Sequence, residues 1–315
     1  MQFLKKKALV FVQILLILGS AFLLYSKLGN AEIASHFADA FAVLTWWHIA
    51  IVLLLSIINW LFDTRVWQLI LKPFVKVEFS SALRINVIAQ SAGAITPLAV
   101  GDYGLRSYLL KDKIEARQNA LLSLTYRLVK MAVRIVMGLL CIFYVSISQD
   151  LVLLGVALAI GLLAMSFISI RAAILYVSKS KSANKILNER ERIDFSKINL
   201  TRVFVPGVLL FAAYSLQTSV LIFWMSQSAP FMDILLWVVI TYSITSFLPA
   251  TGVFDPMIKS AFGALFALQL AAAPAIILFA FTTTWLFNLG VPGFISSLLF
   301  RKLIGKAYRT TKSTR

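Results

Sequence analysis

The sequence predicts an all-α polytopic membrane protein, with about six full spans plus two re-entrant broken-helix hairpins arranged as an inverted repeat. Three observations carry this. Of 315 residues, 60% are hydrophobic and only 14% charged, with a mean hydropathy of +0.87; soluble domains sit nearer roughly 45–50% and 25%. The apolar residues come in runs of about 18 or more, the length that crosses a hydrocarbon core of roughly 30 Å. Two further segments, each broken by proline, glycine and charge, stand at matching places in the two halves of the chain.

Taken in order, Lys5, Lys6 and Lys7 precede an apolar run over 8–25. That run is longer than a signal-peptide core and lacks a small-x-small cleavage site, so it reads as an uncleaved first span. A span over 48–70, a re-entrant segment over 82–110 and a span over 119–146 complete a first membrane half, residues 1–150. The second half, 151–315, repeats the plan with spans 151–170, 203–226 and 272–299, a re-entrant segment 232–270 and a loop 171–202. The breaks read "TPLAVGDYG" (96–104) and "LPATGVFDP" (248–256). Pro97, Gly101, Gly104, Pro249, Gly252 and Pro256 are the expected hinge residues, because proline and glycine free backbone groups that lipid cannot satisfy.

Orientation follows from the basic residues, which gather in cytoplasmic loops. The loop 171–202 holds eight Lys or Arg and the tail after Phe300 holds six, whereas the connections 26–47, 147–150 and 227–232 hold Lys27 alone. Both ends of segment 82–110 are basic, so it enters from the cytoplasm and returns. Each half then makes an odd number of crossings, and the second half is inverted relative to the first, a plan shared by many transporters. The expected location is the cell (plasma or inner) membrane, with both termini cytoplasmic.

The formal charge of +17 is accounted for by those loops, and no basic stretch is interleaved with stacking aromatics, so nucleic acid is not an expected partner. A single cysteine, Cys141, excludes an internal disulfide or thiolate cluster. The two histidines, His36 and His48, are too isolated for a metal site, and no cofactor is expected. No Walker A, Gly-x-Ser-x-Gly or His-Glu-x-x-His motif is present, so neither ATP-driven nor triad chemistry is expected, and the chain is not read as an enzyme.

Charge at depth carries the functional reading. Arg127, Lys130 and Arg134 fall on one face of the span 119–146 at helical spacing. Each costs at least roughly 2.5–3.5 kcal/mol at mid-bilayer and needs a partner. Asp63, Asp102 and Asp255 are the available acids, and with Arg106 and Lys259 added, five cations face three acids. An anionic lipid phosphate, bound by Arg106, Arg127, Lys130 and Arg134, would complete the site, because the planar guanidinium grips two phosphate oxygens at once. The competing reading is a buried ion-pair network that only holds helices in register.

The stretch "IAQSAGAITPLAVGDYGLRSYLL" followed by "ALLSLTYRLVKMAVRIVMGLL" resembles the lysylphosphatidylglycerol synthase transmembrane region, the flippase-like integral membrane protein family. Pro97, Gly101, Asp102, Arg106 and Arg127 stand at the positions of its first motif. "LPATGVFDPMIKSAF" (248–262) is a fainter second motif, departing from the family's glycine-rich pattern ending in Glu. The resemblance implies movement of charged or glycosylated lipids between leaflets. It also implies that the soluble aminoacyl transferase fused to the best-known members is missing, since the sequence ends sixteen residues after its last expected span.

The expectation is therefore a lipid translocator working without ATP hydrolysis, its partner a membrane lipid with an anionic or polyprenyl-phosphate head group. Two alternatives stand beside it. One is a non-catalytic membrane partner of a separate lipid-modifying enzyme; the other is an intramembrane lipid-modifying enzyme using Asp63 or Asp102 as base.

Overall fold

The structure is a computed structural model, and it describes residues 42–96, 100–148, 155–163, 194–226, 229–246, 254–267 and 272–296, with positions 18, 22, 152, 153, 248, 252 and 270. The expected span 8–25 apart from positions 18 and 22, nine residues of 151–170, most of the loop 171–202 and the C-terminal tail lie outside these residues, as do Pro97 and Pro249. The described chain is all helix: α1 Trp46–Leu71, α2 Phe79–Ile95, α3 Val100–Leu109, α4 Ala116–Ser148, α5 Leu200–Ser226, α6 Phe231–Thr245, α7 Asp255–Leu265 and α8 Pro274–Trp285. A π turn, Leu286–Gly290, carries α8 on to Ser296.

Four of these helices are long and apolar enough to cross a membrane: α1, α4, α5 and α8 with its extension. α1 shows why. Its exposed stripe is apolar, with Ile49, Leu53, Ile57 and Leu61 each at least 38% exposed, whereas Ser56, Asn59 and Asp63 are at most 7% exposed. Apolar outside and polar inside is the reverse of a soluble helix and suits a lipid surround. α2, α3, α6 and α7 have 17, 10, 15 and 11 residues, each short of the roughly 20 that a crossing needs.

Local chemistry sets the breaks. Thr96 ends α2 in an extended conformation, φ −110° and ψ 140°, as the residue before proline is steered to do. Its hydroxyl donates to the Ala92 carbonyl at 2.8 Å and accepts from the Gly101 amide at 2.8 Å, stapling the start of α3 to the end of α2. A Cβ at Gly101 would lie 2.5 Å from the Ala92 carbonyl oxygen, so only glycine permits that approach. α7 opens with Asp255-Pro256; proline fits the first helical turn, where its missing N–H would be unpaired anyway, and the acid suits the positive helix end.

Gly101 and Gly104 stand inside α3 and Pro256 lies in the first turn of α7, so the first interruption, 96–99, is narrower than its nine-residue stretch suggests, whereas the second, 246–254, is as long. Gly252 alone of the described hinge residues sits in a turn between helices. His48 stacks edge-on against Trp224, and its Nδ1 accepts from the Thr45 amide at 2.9 Å, closing the N-terminus of α1. Among the described residues no cluster of His, Cys, Asp or Glu could hold a metal.

α1 and α5 form the central pair, and they are antiparallel. Asn59 of α1 donates to the Leu210 carbonyl of α5 at 3.2 Å, and Gln217 of α5 donates to the Val52 carbonyl of α1 at 3.1 Å. On each helix the donor lies two turns after the acceptor, so the two bonds interchange under a rotation that swaps the helices. α2 and α4 pack on α1 as α6 and α8 pack on α5; α3 packs on α4 as α7 packs on α8. One apolar core surrounds α6, with Trp237, Ile277 and Phe281; a second holds Val66, Trp67, Leu122 and Tyr126 beside α2 and α3.

Candidate functional site

Between the two halves lies a cavity of about 230 Å³. Its lining comes from the middle of all four long helices: Asn59 and Asp63 from α1, Lys130 and Arg134 from α4, Leu210, Phe211 and Tyr214 from α5, and Trp285 and Asn288 from α8 with its π turn. Gln90 of α2 and Asp255 and Lys259 of α7 complete the charged and polar wall. Lys130 and Arg134 flank residue 132, the centre of the 33-residue α4.

The structure divides the four cations expected to bind phosphate. Arg106 is 0% exposed; its Nε donates to Asp102 at 2.7 Å, its Nη2 donates to Asn86 Oδ1 at 2.6 Å, and it stacks 4.5 Å over the Trp67 ring. Arg127 holds the other oxygen of Asp102 at 3.0 Å and covers the Tyr103 ring. Neither lines the cavity. Lys130 and Arg134 do, and the expected stripe thus splits into a structural end and a cavity end.

Each acid in the cavity wall is matched. Asp63 accepts from Lys130 at 2.9 Å, from the Tyr126 hydroxyl at 2.5 Å, from Asn86 at 2.9 Å and from Gln90. Asn86 joins the two networks, donating to Asp63 while accepting from Arg106. Asp255 pairs with Lys259 at 2.5 Å, four residues on along α7, and Lys259 also reaches the Tyr214 hydroxyl at 3.4 Å. Arg134 is the exception. It makes no ion pair among the described residues; its Nη1 donates to Ser246 Oγ at 3.1 Å, and Phe211 lies 6.0 Å away. A neutral hydroxyl does not balance the charge of a half-buried guanidinium, so among the described residues lining this cavity Arg134 is the cation without a carboxylate.

Several contributors were invisible as such in the sequence. Asn288 of the π turn donates to Gln217 Oε1 at 2.5 Å, and its backbone carbonyl, which Pro292 has no N–H to meet, accepts from Trp60 Nε1 at 3.3 Å. Such turns recur at functional sites because they re-aim side chains within a helix. Lone amides inside apolar spans, such as Asn59, Gln217 and Asn288, were the available signal. Comparison with protein families, with curated proteins and with solved structures found no match.

Proposed function

We propose that this chain is a lipid translocator of flippase-like type, built as two inverted repeats and passing a lipid with an anionic head group between leaflets without ATP hydrolysis. The observation that carries the reading is Arg134, a guanidinium with no carboxylate partner among the described residues, in a cavity lined from the middle of the four long helices. Transporters of inverted-repeat design bind substrate at that place, beside interrupted helices. Here α2–α3 and α6–α7 are interrupted helices, and α7 presents its Asp255 and Lys259 to the cavity.

The repeat itself is supported by the antiparallel α1–α5 pair and its interchangeable amide bonds. Two helices related by a rotation that reverses their direction run oppositely across a bilayer, and so do the halves that contain them. A second pair of contacts follows the same exchange. Gly138 of α4 faces Ser243 of α6, and Gly293 beyond the π turn faces Ser91 of α2. With both termini cytoplasmic in the cell membrane, as the basic loops imply, the cavity sits between two such Gly–Ser contacts.

Leaflet exchange in liposomes tests the reading. Wild-type protein is expected to exchange fluorescent phosphatidylglycerol, Arg134→Gln to lose at least tenfold in rate, and Arg127→Gln, away from the cavity, to retain most of it. A folded Arg134→Gln protein exchanging at the wild-type rate would overturn the assignment of the site.

A further inference from the structure

We infer that the cavity selects a head group bearing a single negative charge, a phosphodiester in preference to a phosphomonoester or diphosphate. The inference rests on the reading of this cavity as an anion site and adds the charge of its ligand. Five charged side chains line it. Lys130 is closed on Asp63 and Lys259 on Asp255, at 2.9 Å and 2.5 Å, so each pair is neutral overall. Arg134 leaves one unit of positive charge.

Nothing else in the lining changes that count. Arg106 and Arg127 share Asp102 outside the cavity; the one positive charge left over there lies on that pair, of which Arg127 is 34% exposed and open to screening by solvent. The C-terminal end of α6, where Ser246 meets Arg134, and the N-terminal end of α7, at Asp255, carry opposite partial charges that offset each other. The wall on α5 and on α8 with its π turn adds apolar and uncharged side chains, Tyr214 and Asn288 among them, with no further cation to receive a second charge.

A monoanion therefore leaves the filled cavity neutral. A phosphomonoester, whose second proton leaves near pH 6, brings an additional charge that only the two matched lysines could meet, by surrendering their carboxylates. At effective dielectric constants near 20, one such unmatched charge among fixed groups a few ångströms away shifts affinity by roughly tenfold or more.

The test is binding to the purified full chain at pH 8, read by isothermal titration. The probes are dihexanoyl phosphatidylglycerol, dihexanoyl phosphatidic acid, dihexanoyl phosphatidylcholine and glycerophosphoglycerol, the last a phosphodiester without acyl chains. Phosphatidylglycerol is expected to bind at least tenfold more tightly than phosphatidic acid, and Asp255→Asn, which raises the cavity charge by one, to erase or reverse that preference. Glycerophosphoglycerol binding as tightly as the lipid would support the charge rule with a water-soluble diester as ligand; weaker binding would support it with a lipid. Phosphatidic acid bound as tightly as phosphatidylglycerol by the wild type would overturn the charge rule and leave the anion site standing, and this comparison needs no variant to fold. Binding of no anionic probe, or equal binding by Arg134→Gln, would overturn the anion site itself.

Discussion

Replacing Gly138 by alanine would put a methyl carbon 2.5 Å from both Cβ and Oγ of Ser243, well inside the roughly 3.5–4.0 Å optimum for carbon contacts. At Gly293, the counterpart under exchange of the halves, the same methyl would meet Ser91 Cβ and Oγ at 3.8 Å, an ordinary contact. Alanine gains about 1 kcal/mol over glycine in a helix interior, and overpacking costs about 1–3 kcal/mol. Gly293→Ala is thus expected to stabilise the protein by up to about 1 kcal/mol, and Gly138→Ala to be neutral or to destabilise it by up to about 2 kcal/mol. Thermal unfolding in detergent would read the difference, with a thiol-reactive dye reporting exposure of Cys141, the chain's single cysteine and only partly exposed in α4. Transport should move the other way for Gly293→Ala. If the halves exchange roles, the α2–α8 contact must close to the tightness of α4–α6, and the added methyl opposes that closure. The more stable variant is therefore expected to exchange lipid several-fold more slowly. Equal stability for the two alanine variants would refute the packing argument. Wild-type transport by Gly293→Ala would refute the exchange of the two contacts.

Two further predictions concern the first half. Asp102→Asn leaves Arg106, which is 0% exposed, without its carboxylate, and a buried pair broken on one side costs about 3–5 kcal/mol; a lowered unfolding temperature in detergent is expected, and an unchanged one would mean that water already reaches Arg106. Gly101→Ala sets a methyl 2.5 Å and 2.8 Å from backbone atoms of Ala92, which cannot turn aside, whereas at Gly104 nothing lies within 4 Å. The first is expected to destabilise by roughly 1–3 kcal/mol and the second to be neutral or mildly stabilising, again read by unfolding.

The helix breaks were legible because their cause is local. Thr96-Pro97 and Asp255-Pro256 announce a helix end and a helix start by steric rules that act within two residues. The pairing of Asp102 with Arg106 follows a spacing of four on one helix, also local. The division of the cationic stripe was not legible. Arg127, Lys130 and Arg134 share a face, but which acid each meets depends on α1, α3 and α6, tens of residues away, and one turn along α4 suffices to change the neighbour. Trp67 shows the same limit. Near the end of an apolar span it reads as an interface anchor, yet it is 0% exposed because Arg106 stacks upon it. The lone amides Asn59 and Gln217 mark their spans in the sequence, but which carbonyl each meets depends on the partner helix; the π turn at Leu286–Gly290 precedes Pro292, which cannot donate to the Asn288 carbonyl, so that signal was local.

The charge arrangement and the fold differ in symmetry, and that difference bears on transport. Each half contributes one lysine–aspartate pair to the cavity: α1 and α4 supply Asp63 and Lys130, and α7 supplies both Asp255 and Lys259. Arg134 has no cationic counterpart in the lining contributed by α8, where Asn288 is the polar group. If the halves exchange as proposed, the scaffold could open toward either side, and a single cation without a carboxylate in the described cavity lining would keep one binding position in both states. A second such cation in the other half would create two positions, and an anion would have to leave one before reaching the next. On the proposed reading, with one such cation the head group would stay where it is bound while the walls on either side change places, and access would alternate without loss of its contact with Arg134.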